Sequence, residues 1–227
     1  HKAKPPERTA FALPPKNNGN RRVFAYLHRS RGIAAEIVNH CIKYDLLYED
    51  AQHHNAVFVG KDENNNARYA FLRGTLTDSH FRQEATGSDK SYGFFLRGSG
   101  KTLFVCEAAI DALSVATLRK FGGLDWKKDN YLALGGVTAS ERKLPVALER
   151  TLNNFSFKRV VLCFDNDAAG QTAARRIFTM LRQQFPENLE VRTCVPEVKD
   201  FNDQLCVKLQ NGKNSPSRGT RESNLSR

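Results

Sequence analysis

The stretch VVLCFDNDAAGQTAARRI, residues 160–177, constrains the fold more than any other part of the chain. Its apolar run through Phe164 has no polar interruption, as in a strand buried on both faces, and a helical spacing at Ala173, Ile177 and Leu181 follows at once. A buried strand feeding a helix is the repeating unit of parallel sheets, whose ligands bind beyond the carboxyl ends of the strands. Asp165 and Asp167 stand at that point, so an extended backbone lets both carboxylates face one cation. The same pair also suits a helix N-cap with a second acid favouring the helix dipole. The stretch alone does not decide between the two.

The rest of the second half repeats the strand-to-helix pattern. LFVC at 103–106 reads as a strand, and Ala109, Ile110, Leu113 and Leu118 form an apolar helix face that ends at Gly122 and Gly123. YLAL at 131–134 is a second strand closed by Gly135 and Gly136, residues 138–154 read as mostly helical despite Pro145, and EVRTCV at 190–195 is a last strand. This alternation predicts an α/β fold, a mainly parallel sheet with helices on both faces.

In such a sheet the acids converge. Glu107 follows the first strand as Asp165 and Asp167 follow the third, Asp111 lies one helical turn beyond Glu107, and PEVKDFNDQL adds Asp200 and Asp203 after the last strand. Each acid alone also suits a helix start or a turn. Gathered at one edge they repel one another unless cations neutralise them, and hard Mg²⁺ or Mn²⁺ prefers oxygen ligands. Their joint placement therefore predicts a metal site.

The first half has a different texture. Val23, Tyr26 and Leu27 share one helical pattern and Ile33, Ile37 and Cys41 another, with Gly32 between them, which predicts a helical hairpin over 21–43. AVFVG at 56–60 and ARYAFLRGT at 67–75, joined by the polar KDENNN, read as a β-hairpin. Residues 80–101 interleave Arg82, Lys90, Arg97 and Lys101 with Phe81, Tyr92, Phe94 and Phe95. That mixture suits single-stranded nucleic acid, through phosphate contacts and base stacking, and equally an edge hairpin with core aromatics and solvated cations. The expected organisation is a flexible linker over 1–20, a small α+β domain over 21–100, the parallel-sheet domain over 101–207 and a flexible basic tail over 208–227.

The net charge of +11 favours an anionic partner, although the two ends carry +3 and +4 of it. The cysteines, Cys41, Cys106, Cys163, Cys194 and Cys206, are scattered without CxxC spacing, so they read as small buried hydrophobes in a reducing cytoplasm. Neither a signal peptide nor an apolar run long enough for a membrane span is visible.

LFVCEAAIDALS, YLALGGV and VVLCFDNDAAGQTAARRI, in that order, resemble the successive motifs of the Toprim domain shared by DnaG-type primases, topoisomerases and some nucleases. KDFNDQL resembles the closing acidic segment of the primase branch, and FAYLHRSRGIAAEIVNH the YL-x-x-RGI hairpin that opens the primase core. VFVGKDENNNARYAFLRGT with GSDKSYGFFL is similar to the companion domain that precedes Toprim in proteins of plasmids, phages and conjugative elements. The resemblance implies Glu107 as general acid or base, Asp165 and Asp167 as ligands of Mg²⁺ or Mn²⁺, and Asp111, Asp200 and Asp203 as additional acids. It implies nucleotidyl transfer on a single-stranded DNA template from nucleoside triphosphates, with other replication proteins as partners. Arg29, Arg31, Lys90, Arg97 and Lys101 are the cations expected to hold template or nucleotide phosphates. A Toprim nuclease and a non-catalytic nucleic-acid-binding accessory module are the alternatives.

Overall fold

The computed structural model describes residues 10–76, 81–136, 143–185, 187 and 189–214. Helix α1 (Arg21–Ala25) runs into a π-helical turn, Tyr26–Ser30, and α2 (Ala35–Lys43) returns beside it. Gly32 makes the turn at φ +71°, where a side chain would be strained and its Cβ would stand 2.6 Å from Leu209. Strands β1 (Leu47–Glu49), β2 (Ala56–Lys61), β3 (Ala67–Arg73) and β4 (Arg82–Glu84) then form an antiparallel sheet in sequence order. At the β2–β3 tip the Asp62 carboxylate accepts the amides of Asn64 and Asn66, so the polar hexapeptide closes on itself.

A second sheet contains β5 (Phe94–Leu96), β6 (Thr102–Cys106), β7 (Asp129–Ala133), β8 (Arg159–Cys163) and β9 (Glu190–Thr193), in the order β5-β7-β6-β8-β9. All its pairings are parallel except that of β5 with β7. Four helices accompany it: α3 (Ala109–Phe121), α4 (Val146–Asn154), α5 (Ala168–Gln184) and α6 (Phe201–Asn214). Alternation along β6 sorts them. Leu103 and Val105 pack with Leu148 of α4 and Ala173, Ile177 and Leu181 of α5, while Phe104 and Cys106 pack with Leu113 and Ala116 of α3 and Leu205 of α6. The α3–α6 layer also takes Ile33, Ile37 and Cys41 of the hairpin into one continuous core. At roughly 1.5–3 kcal/mol for each large apolar side chain, that shared core holds the two sheets together.

Several boundaries differ from the sequence reading. Residues 10–20 are packed rather than free: Phe11 and Leu13 cover Tyr48, Val57 and Ala70, the Asn17 amide donates to Glu49 O, and the Ala51 amide donates to Pro15 O. The Pro- and Asn-rich composition hid two apolar anchors. β5, expected in the small domain, is the antiparallel edge of the second sheet, because Phe94 and Leu96 reach the core shared with Tyr131. Helix α6 continues through Asn214, into the expected tail. The helix expected over 138–154 is described from Val146, directly after Pro145, while 138–142 lie outside the described residues, as do 1–9 and 215–227 of the expected tails. Cys41, Cys106 and Cys163 are buried, whereas Cys194 is exposed.

Candidate active site

Parallel register brings the acids together. Cys106 pairs with Cys163, so Glu107 and Asp165 leave the ends of neighbouring strands, and the Asp165 amide donates to the Glu107 carboxylate at 3.2 Å. Gly170 permits this approach. A Cβ there would lie 2.5 Å from the Asp165 carbonyl oxygen and 2.8 Å from Glu107 Oε1. Asp167 caps α5 by accepting the Gly170 amide at 2.8 Å, the capping role its sequence position also allowed. Asp167 is exposed and lies outside the cleft lining.

The segment after β9 joins the same edge through the Asn166 amide, which donates to Lys199 O at 2.8 Å. Asp200 accepts the Asp203 amide at 2.7 Å, and Asp203 itself faces solvent in the first turn of α6. Asn202, between them, is 4% exposed. Its amide donates to Asp111 Oδ1 at 3.2 Å, and its side chain donates to Arg31 O at 2.8 Å and to Ser114 Oγ at 3.0 Å. One buried amide thus ties the hairpin turn, α3 and α6 together beneath the acids.

Three of these carboxyl groups hold their protons unusually well. Burial, then the Asp165 charge, pushes Glu107 up to about 7, and burial with Asp200 and Asp165 pushes Asp111 up to about 8. Asp165 rises to about 6 by burial and by Asp200 and Asp167, with Lys199 opposing. Such a set is poised for a positive ligand.

A cleft of about 360 Å³ opens between the two sheets above these groups. Glu107, Asp111, Asp165 and Asp200 line one side; Arg31, Arg73 and Arg82 join them with the aromatic rings Phe58, Tyr69, Phe71 and Phe94. Arg73 and Arg82 are direct cross-strand partners on β3 and β4, an arrangement that costs like-charge repulsion. Arg31 and Arg73 both donate through Nε to the Tyr26 hydroxyl, at 3.0 and 3.4 Å. Among the described residues none of these three arginines has a carboxylate partner, unlike Arg68, Arg119, Arg150, Arg159 and Arg192. The cleft therefore presents acids and uncompensated guanidiniums together, the complement of a metal-bound polyphosphate or phosphodiester.

Of the five cations expected to hold template or nucleotide phosphates, only Arg31 lines this cleft, joined by Arg82 of the basic and aromatic stretch. Arg29 borders a separate groove with Arg21, Phe24 and Asn39, Lys90 pairs with Glu84 at 3.1 Å, and Arg97 stacks 4.6 Å above the Phe155 ring. Lys101 precedes β6 and Glu107 follows it, so the strand's rise sets them about 20 Å apart. The sequence reading missed Arg73, Lys199 and Asn202, and took Arg82 only as one cation of the basic and aromatic stretch over 80–101. A signal existed for the first: Tyr69, Phe71 and Arg73 alternate along β3 onto the cleft.

The donor set suits a hard divalent ion, since it consists of carboxylate oxygens whose crowding already favours a bound positive charge. Among the described residues no three His, Cys, Asp or Glu side chains are gathered into a ready cage. Mg²⁺ does not need one, because it commonly takes one or two carboxylates, several waters and the substrate's phosphates. Asp165 and Asp111 are the residues that would hold it, with Glu107 beside them.

Comparison with known proteins agrees with this arrangement. Residues 104–205 match the family described as Toprim-like, and residues 25–101 match one described as a protein of unknown function (DUF3991). No curated protein sequence matches significantly. Among solved structures, the primase fragment of the bacteriophage T7 primase-helicase protein is similar at 21% identity and TM-score 0.55, over 91% of this chain and 80% of that one. The DnaG catalytic core is similar at 17% identity and TM-score 0.50, over 87% of this chain and 61% of that one. The chain thus spans less than two thirds of the DnaG core. Residues 104–205 are a Toprim-like domain behind a DUF3991 domain, and together they form a mixed α/β fold similar to primase catalytic cores.

Proposed function

We propose that the chain is the catalytic core of a primase-like nucleotidyltransferase, which joins nucleotides on a single-stranded DNA template in the replication or transfer of a mobile element. One observation carries this reading: Glu107, Asp111, Asp165 and Asp200 share a cleft with Arg31, Arg73 and Arg82, which lack carboxylate partners among the described residues. The mobile-element setting rests on the resemblance of the small domain alone. Arg73 and Arg82 take phosphate oxygens of the incoming nucleoside triphosphate, which relieves their mutual repulsion, and Arg31, anchored on Tyr26, takes a third position. Phe71 and Tyr69 supply flat apolar surface for a base. Toprim domains bind divalent ions, and here Asp165 and Asp111 would hold Mg²⁺ or Mn²⁺, which when bound would supply charge neutralisation at the reacting phosphorus. Glu107, near 7, accepts the proton of the attacking 3′-hydroxyl as its oxygen bonds to the α-phosphorus and pyrophosphate leaves.

Incubating the protein with labelled nucleotides, single-stranded DNA and Mn²⁺ tests the reading. It expects longer products, lost in Asp165→Asn. Shortened DNA establishes a nuclease instead, and binding without either product establishes an accessory module.

A further inference from the structure

The acids occupy the carboxyl edge of the five-stranded sheet, and the opposite edge carries the reverse charge. Lys101 stands directly before β6, Lys128 directly before β7 and Lys158 directly before β8; Arg97 directly follows β5, which runs the other way. Each of these four neighbouring strands therefore carries one cation at the same edge, at the sheet's lateral spacing of about 4.8 Å. The backbone confirms the adjacency. The Lys158 amide donates to Lys101 O at 2.9 Å, and Gly100 packs so close to Lys128 that a Cβ would lie 2.1 Å from its carbonyl oxygen.

The row is fixed and unneutralised. The Gly98 amide donates to the Asn130 side chain at 3.0 Å, which in turn donates to Gly100 O at 3.0 Å, so the loop bearing Arg97 and Lys101 is held against β7. All four cations are exposed, and among the described residues none has a carboxylate partner. Most neighbouring acids are already taken, Asp129 by Arg119, Glu190 by Arg159 and Arg192, and Glu36 by Lys120 and Lys127, while Asp125 accepts the Lys127 amide. The segments 93–101 and 155–159 contain no acidic residue at all. At the end of the row the Arg97 guanidinium lies 4.6 Å from the half-buried Phe155 ring. Like charges held well within one Debye length repel, and a polyanion removes that cost.

We propose that this amino-edge row is a second nucleic-acid contact, gripping the phosphate backbone of single-stranded DNA outside the acid cleft, with Phe155 as a stacking surface beside it. The choice of DNA rests on the primase-like reading; the row itself does not. The test is fluorescence anisotropy of a labelled oligothymidine with the full chain across a salt series, without nucleotide or divalent ion. Replacing Lys101, Lys128 and Lys158 together by Ala lowers the slope of log affinity against log salt by about 2, from roughly 0.7 per lost single-strand phosphate contact. Affinity falls at least about tenfold at moderate salt. Circular dichroism checks folding; if the triple variant folds poorly, each single variant lowers the slope by about 0.7. Unchanged affinity and slope overturn the proposal, as does failure of the full chain to bind the oligonucleotide. The two readings separate cleanly. Row-dependent binding without primer synthesis overturns the cleft reading alone, and synthesis with row-independent binding overturns this one alone.

Discussion

Replacing Asp111 by Asn should stabilise the metal-free protein, and this outcome follows from the crowding of the acid edge. Asp111 is 8% exposed, and burial with Asp200 and Asp165 raises its pKa from 3.8 to about 8. Near neutral pH the unfolded chain carries this group ionised while the folded one keeps it mostly protonated, about 3 pH units above its ordinary value. At 1.36 kcal/mol per unit the cost approaches 4 kcal/mol, and because neighbouring carboxyls share the proton we expect about 2–4 kcal/mol. For an acid whose folded pKa is raised, the associated stability is complete below about 4 and is lost as pH rises through about 8. Asn escapes that loss while still accepting the Asn202 amide through its side-chain oxygen. Thermal unfolding in chelator should therefore show Asp111→Asn roughly 5–15 °C more stable at about pH 7.5, with little difference near pH 4. Added Mn²⁺ should stabilise the wild type more than the variant. Equal midpoints at both pH values, or a variant less stable at the higher pH, would refute the reasoning.

Other perturbations probe different parts. Gly170→Ala drives a methyl into the Asp165 carbonyl and the Glu107 carboxylate; it should cost about 1–3 kcal/mol in urea unfolding and reduce synthesis, whereas Gly212→Ala, in open space, should do neither. Glu49 is 3% exposed; burial opposes its charge, but His54, Val23, Asn17 and Arg22 donate to it and hold its pKa below the ordinary value. Its stability contribution is present above about 4.5 and lost as pH falls through the lower folded value, so Glu49→Gln should cost about 1–3 kcal/mol at neutral pH and progressively less as pH falls below 4.5, read by denaturant titration. Arg73→Ala should raise KM for nucleotide at least about tenfold in the extension assay, as expected for loss of a charge-assisted phosphate contact.

The parallel sheet was legible because buried strands write themselves as short apolar runs ending in glycine or acid, and β6, β7 and β8 each fall within two residues of such a run. The convergence of Glu107 and Asp165 was equally legible, since parallel strands deliver their following residues to one edge. Proximity in sequence misled for Lys101, which a single strand carries to the far edge from Glu107. β5 was too short for its period to show which sheet it joins, and that depends on where Phe94 and Leu96 find a core. Arg82 was legible only as one cation of the basic and aromatic stretch over 80–101, not as a residue of the cleft. It enters the cleft because β4 pairs with β3 in a register set by tertiary packing.

The proposed activity requires that carboxylates and arginines of one cleft jointly hold a divalent ion and a nucleoside triphosphate. Electron paramagnetic resonance of Mn²⁺ binding, with and without nucleotide, measures that coupling. In the wild type the nucleotide should tighten Mn²⁺ binding at least about tenfold, equivalent to about 1.4 kcal/mol of coupling, and both Asp165→Asn and Arg73→Ala should remove the effect. Mn²⁺ binding that ignores the nucleotide, or that survives unchanged in Asp165→Asn, would contradict it.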